Sequence, residues 1–76
     1  MKNIINIELT NSESIVLLEL LSRINQENRT ELFKDQSEER VLWDLESMLE
    51  SKLNEPFKKN YSELLENARN DVRDKF

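Results

Sequence analysis

Two pairs of acids sit one helical turn apart, Asp35 with Glu39 and Glu46 with Glu50. Carboxylates at that spacing can hold a divalent cation, or divide acid and base roles between them. The rest of the chain gives such chemistry little support. It has no histidine, so the commonest general base of a nucleophile relay is missing. Without cysteine or histidine the usual zinc ligands are absent, and without glycine neither a phosphate loop nor a dinucleotide-binding turn can be built. The two acid pairs therefore read as a charged outer helical face. No catalytic residue, cofactor or metal is expected, and the chain is not expected to be an enzyme.

The acids are more informative as a charge pattern. The net charge is -5, and residues 35–55 hold seven acids against Arg40 and Lys52. Such a segment repels a phosphate backbone and suits a basic protein surface. Glu39, Glu46 and Glu50 are the candidates for that contact, set against the ordinary reading of a solvated face. The basic residues Lys58, Lys59, Arg69, Arg73 and Lys75 are offset by Glu63, Glu66, Asp71 and Asp74. Direct nucleic-acid binding is accordingly not expected.

The elements that would position these groups follow from the apolar spacing. Ile4 to Leu9 alternates, with Ile5, Ile7 and Leu9 on one face, and predicts a short N-terminal β-strand. No later segment alternates in this way. Three outcomes stay open: pairing with the same strand of a second subunit, an extended arm across the helices, or a partner elsewhere in the chain. Thr10 and Glu13 then have the spacing of a capping box, which starts a first helix carrying Leu17, Leu20, Leu21 and Ile24 at core spacing, with Val16 and Leu18 widening the arc.

A polar connection follows from Asn25 to Lys34, anchored by Leu32 and Phe33. A second helix begins near Asp35, where Asp35 and Glu38 repeat the capping spacing, with Ser37 a rival cap two residues later. Its apolar residues form two lines, Val41–Leu45–Met48 and Leu42–Leu49–Leu53. Trp43 lies off both, closing the edge of the core, belonging to an interface or lining a ligand pocket. Asn54-Glu55-Pro56 ends that helix, and Phe57 is expected to tuck back against the core. Asn60 and Glu63 offer a third capping box before a stripe of Tyr61, Leu65, Ala68 and Val72, in which the lone alanine suggests a close helix crossing.

The expected fold is mainly α: a short N-terminal β-strand or extended arm, then three packed helices, within one domain spanning residues 1–76. A domain this small buries only about 60% of its unfolded surface and needs efficient helix packing or oligomerisation to hold together. No apolar run approaches the roughly 20 residues of a membrane span, and no leader pattern is visible, so a cytoplasmic location without membrane contact is expected.

The strings LTNSESIVLLELLSR, SEERVLWDLE and EPFKKNYSELLENAR resemble those of a group of small bacterial proteins with no established activity. These share a strand-like N-terminal stretch, a leucine-rich helix and an arginine-valine-leucine-tryptophan segment. The resemblance covers most of the chain, with residues 40–46 its most distinctive part. It implies a bacterial or mobile-element origin and a compact helical domain, and it carries no functional residue with it.

The functional expectation is a non-enzymatic protein-binding or regulatory module that self-associates, most simply as a homodimer. Its candidate interface is Ile5, Ile7, Leu9, Glu39, Trp43, Glu46 and Glu50. Two alternatives stand beside it. A strand before two helices is the order of the ribbon-helix-helix DNA-binding regulators. The acidic segment also suits an inhibitor or antitoxin-like protein that binds a basic partner.

Overall fold

A computed structural model describes residues 3–27, 30–53 and 60–74. Three α-helices account for most of them: α1 over Asn11–Gln26, α2 over Gln36–Lys52 and α3 over Tyr61–Arg73, with a short 3-10 turn at Thr30–Leu32 before α2.

The helix starts are set by side chains, each in a different way. At α1 the Thr10 hydroxyl accepts from the Glu13 amide at 3.1 Å, and the Glu13 carboxylate accepts from the Thr10 amide at 2.9 Å. Both partners of the capping box thus satisfy amides that the first helical turn leaves unpaired. At α2 the Asp35 carboxylate accepts from the Ser37 amide at 2.8 Å, while Glu38 reaches back past Asp35 to the Lys34 amide at 3.0 Å. Asp35 is the cap as expected, but the box is not formed: Asp35 takes the Ser37 amide instead of the Glu38 amide, and Glu38 takes the Lys34 amide instead of the Asp35 amide. At α3 the expected box is not formed, because Asn60 makes no side-chain cap bond. Its ψ of 34° departs from the extended backbone that carries an N-cap side chain over the first amides.

The buried residues form one cluster: Ile15, Leu18 and Leu21 from α1, Leu49 and Leu53 from α2, Leu65 and Ala68 from α3. The principal helix contacts are α1 with α3 and α1 with α2, so α1 is the central element and its neighbours flank it. This explains the wide apolar arc of α1, which has to serve two partners. It also shifts that helix's phase from the expected one. Leu21 is buried as predicted, but Leu20 is 41% exposed and Ile15 takes an inward place instead. Ala68, 3% exposed in the shared core, has no side-chain bulk to hold α3 away from its neighbours.

The N-terminal expectation is overturned. Among the described residues there is no β-strand, and residues 3–10 enter α1 as irregular backbone. Nor do they form an arm laid across the helices: Ile4, Ile5 and Ile7 are 84%, 83% and 78% exposed, and Leu9 is 42% exposed. Alternating β-branched residues express a local preference, but a strand becomes stable through cross-strand pairing and a buried face. Three helices offer neither.

Asn54, Glu55, Pro56 and Phe57, read from the sequence as the end of α2 and a tuck onto the core, lie outside the described residues.

Candidate protein-docking surface

The two apolar lines of α2 have different fates. Leu49 and Leu53 are buried and Leu42 is packed against them, so that line is the core face. The other line turns outward. Val41 is 61% exposed and Met48 55% exposed, with Leu45 between them half-buried at the edge of the core. An open hollow bordered by Asp44, Ser47, Met48 and Ser51 lies beside it. Two exposed apolar side chains one heptad apart on one flank form a row.

The opposite flank of α2 carries the sequence candidates. Glu39, Trp43, Glu46 and Glu50 follow one another at spacings of four, three and four, which places them on a common flank. The structure then separates them. Glu46 is turned to α1, where its carboxylate accepts from the Ser22 hydroxyl at 2.9 Å and from the Asn25 amide nitrogen at 2.6 Å. That carboxylate joins two helices. Glu39 is half-buried, Glu50 exposed, and Trp43 45% exposed between them. One acid of each of the Glu46–Glu50 and Asp35–Glu39 pairs is engaged in hydrogen bonds, Glu46 with α1 and Asp35 at the start of α2. The hydrogen bonds from Ser37 hold the Asp35 carboxyl below its ordinary range. No group of three acids that could hold a metal ion occurs among the described residues.

Ser22 and Asn25 were not singled out by sequence reasoning. The available signal was their i, i+3 spacing at the end of α1, continuing the inward row of Leu18 and Leu21. Reading Asn25 as the first residue of the connection hid it. A second unforeseen contact joins α3 to α1, where Tyr61 meets the Glu19 carboxylate. Burial, and then the charge and hydrogen bond of Glu19, push the Tyr61 hydroxyl above its usual value, with Arg69 opposing.

The N-terminal candidates Ile5, Ile7 and Leu9 stand apart from these flanks on the segment before α1 and are exposed. A second hollow, at the start of α2, is lined by Phe33, Lys34, Asp35, Gln36 and Glu39. Its acids are engaged in the helix cap or half-buried, and nothing in its lining activates a nucleophile. No helix of the described residues is long and apolar enough to cross a membrane. Comparisons with protein-family models, curated proteins and solved structures return no match to this chain.

Proposed function

We propose that this chain is a non-enzymatic protein-binding module whose working surface is the outward side of α2. The observation that carries the reading is the exposed row of Val41 and Met48, on a helix whose other apolar line already completes the core. Burying such side chains against a partner removes apolar area from water, worth roughly 25 cal/mol per Å² before the costs of association. Both side chains stand outside the buried cluster that holds the three helices together.

Affinity capture with the intact chain and with a Val41→Ser/Met48→Ser variant tests this. Both positions are exposed, so the variant should keep the helical signal of the parent and lose its specific partner proteins. Equal capture by the two forms would refute the assignment of α2 as the working surface.

A second reading rests on the opposite flank, where Trp43 lies between Glu39 and exposed Glu50. An aromatic side chain bordered by acids suits a basic protein, as an acidic inhibitor would require. Under this reading Glu39→Gln/Glu50→Gln slows association and flattens its salt dependence. Glu46, tied to α1, takes no part in recognition.

A further inference from the structure

The outward line of α2 has a symmetry that identifies its occupant. Glu38, Val41, Leu45, Met48 and Lys52 follow at spacings of three, four, three and four, the pattern of a coiled-coil seam. Leu45 is its centre, with Glu38 seven residues before it and Lys52 seven after. The seam is about 21 Å long at 1.5 Å per residue. Its outer border is Ser37, Asp44 and Ser51, small at both ends and charged at the middle.

We infer that this seam docks on the same seam of a second copy, antiparallel, with the two-fold axis at Leu45. This inference rests on the docking-surface reading above and names its partner. In that arrangement each Val41 and Met48 closes over the central leucine pair, and Glu38 of each copy comes opposite Lys52 of the other. Two symmetric charge pairs form at once, and the helix dipoles oppose each other favourably. Parallel docking would bring Glu38 to Glu38 and Lys52 to Lys52, which repels at both ends. Both charged side chains are exposed, and Glu38 spends one oxygen on the Lys34 amide, leaving its other for a partner.

The chain is open for its size. Its accessible surface is 6520 Å², where a compact monomer of its mass exposes about 4,900 Å². Its radius of gyration is 13.8 Å, against about 11.4 Å for a self-contained domain of the same length. The exposed residues 3–9 before α1 contribute to that surplus together with the outward side of α2.

Sedimentation across a range of concentrations tests the inference through a charge exchange. The unaltered chain should dimerise. Glu38→Lys and Lys52→Glu, each placing like charges at both ends of the seam, should each weaken the dimer about tenfold. Mixed in equal amounts, the two variants should recover association, because every like pair becomes an opposite pair in the mixed dimer. All these positions are exposed, and an unchanged helical circular dichroism signal confirms that the fold is kept. A chain that stays monomeric at every concentration overturns the inference, as does a dimer that ignores the charge exchange. If a strict monomer still captures partners through Val41 and Met48, self-docking falls while the wider reading stands; if that capture is lost as well, both fall.

Discussion

At the scale of single residues, Glu46 shows how little a carboxylate's type says about its task. The sequence presents it as one of several acids on a charged helix, yet it receives two hydrogen bonds from α1. Removing it leaves the Ser22 hydroxyl and the Asn25 amide without their acceptor in a part-buried site. The penalty for such groups is the cost of desolvation without compensation, about 1–3 kcal/mol. Glu46→Ala should therefore lower stability by that amount in urea unfolding. Glu46→Gln, which keeps an acceptor and gains a donor that Asn25 can receive after an amide flip, should cost clearly less. Equal losses for the two variants would mean that the side chain acts through packing and not through its hydrogen bonds.

At the scale of elements, the three helices, the box that begins α1 and the Asp35 cap of α2 were legible because capping and 3.6-residue periodicity are local signals. So was the stripe of α3, whose Leu65 and Ala68 are buried and whose Tyr61 packs against them. The phases of α1 and α2 were harder. Both carry apolar arcs wider than one neighbour can cover, and periodicity alone cannot say which part of a wide arc turns inward. For α2 the choice fell between the Val41–Leu45–Met48 and Leu42–Leu49–Leu53 lines, and the core took the second. The absent strand failed for a related reason: strand formation depends on a partner that no local pattern can supply. Of the sequence's interface candidates on α2, Trp43 and Glu50 are exposed and Glu46 is tied to α1, and the exposed row of Val41 and Met48 became visible once the core had claimed the other line. Leu49→Ala should cost roughly 2–5 kcal/mol. Val41→Ala and Met48→Ala, measured in thermal melts at low concentration, should each stay near the roughly 0.5 kcal/mol typical of surface changes. The reverse order would show that α2 is turned about its axis from the orientation described.

At the scale of the whole molecule, a central α1 with a helix on either side leaves much of α2 uncovered. The extended surface and large radius follow from that arrangement, and from the exposed apolar segment before α1. A small domain with a modest core gains stability by burying further surface against a partner, since binding to the folded form shifts the folding equilibrium. Association and folding are therefore linked in this account, and stability should rise with whatever covers the α2 seam. The chain has two methionines, Met1 and Met48, so a methyl-labelled sample gives a nearly unique probe at the centre of the claim. The most direct measurement is the attenuation of the Met48 methyl resonance by a soluble paramagnetic agent, followed as the chain is concentrated. The account predicts strong attenuation in dilute solution and progressive protection as a second copy closes over the seam. A Met48 methyl that is shielded at the lowest concentration, or equally attenuated at every concentration, would contradict it.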